Sequence, residues 1–451
     1  MLTPKLKVLQ QTIKRLMRRG AIGSMEKVLA KSHAADLAFL LTDLSEAERD
    51  KVIGGSATDD KRAEIIGHAE PKIAAQILSR AEPERAVELL RLVEPDDVSD
   101  ILGEMPSEAA DELLHLMRVS DRSEVEELSR YDSETAGGIM SPRFFALHRD
   151  TTIREAIEEL QKRSEELEMV FYLYVVNERD QLLGVVSLRQ LVVTRPDTRL
   201  FDIMISDVIK VTADVDQEEV ARLASRYGLL AVPVEDDSNR LVGIVTVDDV
   251  IDVLREEATE DILRMAGAGD ELVDQETVLG SAFSRFPWLL VTGALGVLAA
   301  LILAGYKETL QLNAVAVYFM PAVLALAGIS ALQSATIVGQ SIGQGRMTWG
   351  LVLRQIGVSA LLGTFFGAGL AIFAGYWWIA GGNQSIWGAV FLGLGITAAM
   401  ISAAIVGGVL PPLLARLRID PTLAAGPAIT VVGDLVGLVV YLSIGSLGLL
   451  F

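Results

Sequence analysis

Hydrophobic and polar positions divide this chain into three stretches with different periods. Over residues 1–130 apolar pairs recur at a fixed interval, Ile77-Leu78, Leu89-Leu90, Ile101-Leu102 and Leu113-Leu114, each trailing a proline at Pro71, Pro83, Pro95 or Pro106. Proline suits the first position of a helix, where its missing N–H has no intrahelical partner. The acids before it, Glu70, Glu82 and Glu94, complement the helix dipole. Helices this short are marginal alone, so the pattern predicts an all-α superhelical N domain in which they stack. From 139 to 257 the period shortens to β-rich runs alternating with helices, and the order occurs twice. Strand Tyr172–Val176, run Leu182–Leu188 and a helix from Arg189 are matched by Leu230–Val234, Leu241–Val247 and Asp248–Arg255. This predicts a tandem α/β module divided as 139–200 and 201–257. Gly184 and Gly243 hold matching places inside β-rich runs, where close backbone approach is expected. An acidic connecting helix is expected over 258–280. The transmembrane pore domain, 281–451, then holds apolar segments at about 286–305, 312–342, 352–380, 387–415 and 421–450. Each can cross a hydrocarbon core of about 30 Å, which needs about 20 residues.

Charge sharpens this division. The chain of 451 residues carries −20 overall, yet residues 281–451 hold six basic and three acidic residues, a net +3, so residues 1–280 carry −23. Such an acidic front repels phosphates and excludes nucleic acid as a partner; its natural partners are cations. There is no cysteine, so disulfides and thiolate metal sites are excluded. Lys5, Lys7, Lys14, Arg15, Arg18 and Arg19 make the first helix basic and amphipathic, without the apolar core of a secretory leader. It reads as a solvated helix in preference to a membrane-surface anchor, and the soluble half is expected to stay in the cytoplasm. The positive-inside bias agrees: Arg346 and Arg354, and Arg416 and Arg418, flank connections that face inward if the amino end is inside, which puts the carboxyl end outside.

Asp434 is the most informative residue. It lies deep in an apolar span, where a carboxylate costs a few kcal/mol unless it meets water, a partner or an ion, and no Lys or Arg lies within any span interior. In a symmetric dimer two such acids would face one axial pore and attract a hydrated Mg²⁺, which gives up its water reluctantly. Pro321 is expected to interrupt the second span and Gly407-Gly408 with Pro411-Pro412 to punctuate the fourth, where irregular backbone lines a cavity, while Gly426-Pro427 is expected to open the last span near Asp434. Gln333 and Ser334 are candidate pore oxygens. At the end of the soluble half Asp249, Asp252, Glu256 and Glu260 form one helical stripe, with Asp248, Glu257 and Asp261 beside it. Like charges at such spacing destabilise a helix, so a divalent cation that cancels the repulsion would tighten it. The four histidines are scattered, and no metalloprotease, P-loop or serine-hydrolase motif occurs, which points away from an enzyme.

These features together resemble the MgtE family of magnesium channels. The resemblance runs from the helical domain through a pair of CBS domains to five spans. It is carried by Tyr131-Asp-Ser-Glu-Thr-Ala-Gly-Gly-Ile-Met140, Val245-Thr-Val-Asp-Asp-Val-Ile-Asp-Val-Leu254, Glu257-Ala-Thr-Glu-Asp261, and Asp420-Pro421 with Gly426-Pro427 and Asp434. It implies a homodimer of the inner membrane that passes Mg²⁺ and closes when Mg²⁺ binds its cytoplasmic domains. By position the sensor ligands would be Asp96, Asp100, Asp216, Glu218, Asp249, Asp252, Glu257, Glu260 and Asp261; Asp434 would be the pore carboxylate and Asp420 would lie near the cytoplasmic mouth. Two departures stand out. Ile329 and Ala331 replace an asparagine and a glycine of the family's polar run in the second span, which keeps Mn²⁺ or Co²⁺ transport, or a non-conducting Mg²⁺ sensor, open as alternatives. Gly228 stands where a family ligand can be acidic. Some family members bind ATP between the CBS units; Gln190 and Leu229 replace side chains that would help, which leaves nucleotide binding open.

Overall fold

The computed structural model describes residues 4–163, 167, 170–265, 278–312, 314–380, 387–417, 419 and 426–447. They form two compact units, Met1–Arg255 and Glu256–Phe451. The first unit opens with ten helices, from Pro4–Arg18 to Val119–Leu128. Pro71, Pro83 and Pro95 each occupy the first turn of their helix, and Pro106 sits one place earlier, at the cap before Ser107–Leu116. Helices pack on the next but one: Ala34–Leu41 on Asp59–Gly67, Pro71–Leu78 on Pro95–Gly103, Pro83–Leu90 on Ser107–Leu116. Two rows of short helices result, and the recurring apolar pairs fill the seam, with Ile77, Leu78, Leu89, Leu90, Ile101 and Leu102 all buried. That is the superhelical N domain.

Two three-stranded sheets follow, built alike. In the first, Ala146–His148 runs parallel to Tyr172–Val176, which pairs antiparallel with Leu182–Ser187; in the second, Val211–Thr212, Ala231–Glu235 and Leu241–Thr246 repeat the pattern. Each carries a bulge at the same place, Val175/Val176 and Val234/Glu235. Both hairpin turns place a left-handed residue, Asp180 and Asn239, types whose short polar side chains tolerate it. The two sheets share a core of Tyr174, Val176, Ala231, Leu241 and Ile244.

The matching glycines reveal an exchange between the repeats. Gly243 lies against the side chain of Met140, and Gly184 against Met204 and the carbonyl of Ile205. Ser141 pairs with Ile244, and Ile205 with Val185. The Ile-Met segment that begins each repeat therefore completes the sheet of the other. Ala136 and Met140 are core residues of the second module, and Ile203 and Met204 pack in the core of the first.

In the second unit five helices are long and apolar enough to cross a membrane: Val278–Gly305, Val317–Gly343, Trp349–Tyr376, Trp387–Arg416 and Pro427–Leu447. The second packs on the fourth and fifth, the third on the fourth, and the first on the fifth. Buried hydroxyls join them: Ser330 bonds Ser359 at 2.8 Å and donates to the carbonyl of Met400 at 3.2 Å. The expectation that prolines and glycines break the spans is corrected. Pro321 lies inside a continuous helix, Ala314–Gly343, and Gly407, Gly408, Pro411 and Pro412 inside Trp387–Arg416. Each proline removes a single N–H, and in hydrocarbon the remaining bonds are too costly to give up, so packed neighbours hold the helix through it. Gly426 and Pro427 alone stand at a helix start, since Pro427 is the first residue of Pro427–Leu447. The acidic connection begins inside one helix, Val247–Met265, which is also the last helix of the second α/β module.

Candidate functional site

Asp434 lies about two turns into the fifth span, on the side facing the second. A Cβ on Gly328 would fall on the Asp434 carboxylate and come within 2.8 Å of Thr430 Cγ2, so a larger residue there would force the acid to shift. Its Oδ1 is buried without a hydrogen-bond partner. Among the described residues no cation forms an ion pair with it. Glycines bring the helices together around this point. Gly433 meets Ala331 Cβ, Gly437 meets Ala327 Cβ, and a Cβ on Gly407 would strike the backbone of Ala331. Ala331, one of the two departures, is thus the contact of three spans, and the glycines opposite accommodate its methyl. Ile329, the other, is 51% exposed in the single chain. Gln333, one turn on, is exposed on the same face, whereas Ser334 is buried among the spans. Ser334 thus points into the packing and Gln333 away from it. Gly426 is buried at the helix start, and Asp420 lies outside the described residues.

A second cluster forms in the first unit. Helices Pro95–Gly103 and Val247–Met265 each begin with an Asp-Asp pair in the first turn, Asp96-Asp97 and Asp248-Asp249. Each pair complements its own helix dipole, but the fold brings the pairs within each other's field. Asp96 is 8% exposed and its Oδ1 has no hydrogen-bond partner. Burial pushes it up to about 6, with Asp248 raising it further and Arg143 opposing. Asp97, its Oδ2 against Gly67, is pushed up to about 8 by burial, then by Asp96, Asp249 and Asp100. Asp249 rises to about 7 through burial and Asp96, although Thr246 donates to it through its N–H at 3.2 Å and its hydroxyl at 2.6 Å.

Asp96, Asp100 and Asp249 are thus brought together; Asp97 and Asp248 join them and were not among the expected ligands. An Asp beside a helix start ordinarily reads as dipole compensation, and only the pairing of two such starts exposes the cluster. Asp216 caps helix Gln217–Tyr227, accepting from the N–H of Glu218 at 2.8 Å. Glu218 is exposed, as are Asp252 and Asp261; Glu257 is half-buried, and Glu260 is ion-paired with Arg264. Gly228 ends the capped helix with a positive φ of 64°, a conformation that suits glycine. Gln190 accepts from Ser187 N at 3.0 Å as part of a capping box, and Leu229 packs against the second CBS core. Among the described residues no three acids or histidines converge closely enough to hold a bare metal ion.

The raised carboxyls fix the sign of a pH dependence. The folded state holds protons that the unfolded chain releases near its ordinary carboxylate range. The first unit is therefore favoured at low pH and loses that contribution as pH rises through about 6 to 8. In EDTA the melting temperature of the full chain's soluble transition is expected to fall between pH 5 and 8.5, by a few degrees per kcal/mol lost (roughly 2–4 °C). Asp97→Asn is expected to flatten that fall; an unchanged slope in differential scanning fluorimetry would contradict the cluster.

Comparison with known proteins agrees with this layout. Residues 32–134 match the MgtE intracellular N domain, 136–195 and 200–256 match CBS domains, and 320–444 match the MgtE divalent cation transporter region. The magnesium transporter MgtE of Thermus thermophilus is 38% identical over 333 residues, 72% of each chain. That of Bacillus subtilis is 31% identical over 435 residues, 96% of this chain and 95% of the relative. The crystal structure of the cytosolic domain of the Mg²⁺ channel MgtE in complex with ATP is 37% identical, with a TM-score of 0.51, covering 54% of this chain and 99% of that one. With its three regions in the same order and relatives matched across most of their length, the chain belongs to the MgtE family of divalent cation transporters.

Proposed function

We propose that this chain carries Mg²⁺ across the inner membrane as a homodimer, amino end inside and carboxyl end outside, and that Mg²⁺ bound to its cytoplasmic half closes the path. The observation that carries the reading is Asp434: a carboxylate oxygen buried in a membrane span with no hydrogen-bond partner. Such a group costs several kcal/mol unless an ion or water comes to it. Homologues named as magnesium transporters support the choice of ion. An outer-shell role suits Mg²⁺, which keeps its waters; Gln333 and the helix start at Gly426 and Pro427 then shape the route, with Asp420 at its inner mouth and Ser334 holding the packing behind it.

Regulation rests on the facing acid pairs. An oxygen-only set that repels itself, with one orphaned oxygen on Asp96, fits a hard divalent cation held through its water. Asp96, Asp97, Asp100, Asp248 and Asp249 would hold it there, drawing the N domain and CBS pair together. Asp252, Glu257, Glu260 and Asp261 continue this acidic surface along the connecting helix, with Asp216 and Glu218 on the second CBS module. Ile329 favours a second reading: without the family's asparagine, discrimination against Mn²⁺ or Co²⁺ weakens.

The test is flux into liposomes containing the purified chain and a Mg²⁺-sensitive dye. Uptake that rises when internal Mg²⁺ is lowered supports the proposal; no uptake overturns it. Mn²⁺ or Co²⁺ entering as fast as Mg²⁺ selects the second reading. Gly328→Ala should displace the Asp434 carboxylate and cut uptake about tenfold, corresponding to about 1.4 kcal/mol of lost ion stabilisation, with membrane insertion intact.

A further inference from the structure

The first helix pair has a face that neither the fold nor the transport reading uses. Residues 4–31 carry eight basic residues and one acid, a net +7, while residues 32–280 carry −30. Helix Pro4–Arg18 buries Ile13 and packs Leu6, Leu9, Leu16 and Met17 against the N domain. Its opposite face presents Lys7, Val8, Gln11, Arg15 and Arg18, all exposed and within one arc of the helical wheel. Lys5 pairs with Asp36 and Lys14 donates to the carbonyl of Asp43. Among the described residues, by contrast, Lys7, Arg15, Arg18 and the following Arg19 have no ion pair, although the unit around them is strongly acidic. Val8, 63% exposed, lies within the same arc as these cations. The family match begins at residue 32, so this helix is an addition to the matched region, seated on the same core through Ile13.

We propose, against the solvated reading that the sequence alone favours, that this cationic face docks the first unit onto anionic phospholipid of the membrane that the same chain spans. The charge is complementary, and an apolar side chain interleaved with cations suits a headgroup–acyl boundary better than a carboxylate-lined protein surface. Tethering by the spans supplies a high effective concentration of lipid, so modest intrinsic affinity suffices. The surrounding acidic surface is repelled by the same lipids, which restricts contact to this one face.

Because the chain lacks cysteine, Gln11→Cys on the exposed face provides a unique labelling site. The full chain, labelled there with a fluorophore, is placed in nanodiscs of phosphatidylcholine alone or with roughly one-third phosphatidylglycerol. Quenching by neutral acrylamide is then measured. The label should be shielded in the anionic discs only. It should be released at about 1 M salt, where the Debye length is about 3 Å. Each of Lys7→Gln, Arg15→Gln and Arg18→Gln should weaken docking about fivefold. Equal accessibility in both discs overturns the proposal. Equal shielding in both also overturns it, since the occupant would then be protein, either a second copy or the chain's own acidic surface. Neither outcome depends on whether the chain moves Mg²⁺.

Discussion

Asp434→Asn is expected to reduce Mg²⁺ uptake into liposomes to the level of empty vesicles while leaving the protein as stable as before or more so. The amide keeps the shape of the side chain and removes the charge. If the carboxylate serves only packing, the neutral isostere should transport normally. If it attracts the ion, the field disappears with the charge. Stability should move in the opposite direction to activity, because a charge in a span costs about 2.5–3.5 kcal/mol and the amide escapes most of that. Paired measurements of dye response and thermal midpoint in detergent therefore separate the two roles. Retained flux with raised stability would remove Asp434 from the transport path.

The second large effect concerns how the spans meet. Gly433→Ala should destabilise the membrane unit by about 1–3 kcal/mol, the usual cost of overpacking, because its methyl would come within 2.5 Å of Ala331 Cβ. Ala331→Gly removes that obstacle and should restore the loss. Gly407→Ala should be at least as damaging, yet the same Ala331→Gly should not rescue it, since the methyl meets Ala331 backbone and not its side chain. The double-mutant cycles thus predict coupling for one pair and none for the other. Equal rescue of both would show that the helices approach differently. Gly433 opposite is what leaves room for the Ala331 methyl.

Much of the architecture was legible before any coordinates. Proline at the first helical position is a local rule, so Pro71, Pro83 and Pro95 announced their helices. Alternating hydrophobicity and duplication marked the two α/β modules, and uninterrupted apolar runs marked the spans. The failures share a different origin. Pro321, Pro411 and Pro412 read as breaks because proline weakens isolated helices, but packing in hydrocarbon overrides that preference. Asp97 is not legible in the sequence because its significance depends on Asp248 and Asp249, about 150 residues away. Asp434 was visible because a lone charge in an apolar run needs no partner to be anomalous. Its accommodation by Gly328 was not, since that glycine resembles any other packing residue of a span.

The Ile-Met segments bear on where the gene can be cut. A fragment ending at the repeat boundary near residue 200 would lack Met204 and Ile205, which close its own sheet, and would carry Met140 and Ser141 with nothing to receive them. Two such halves expressed separately should each be insoluble, yet assemble when produced together, since each supplies the edge segment the other misses. A regulator assembled this way responds as one body: strain at either repeat is shared by both, and neither can loosen alone.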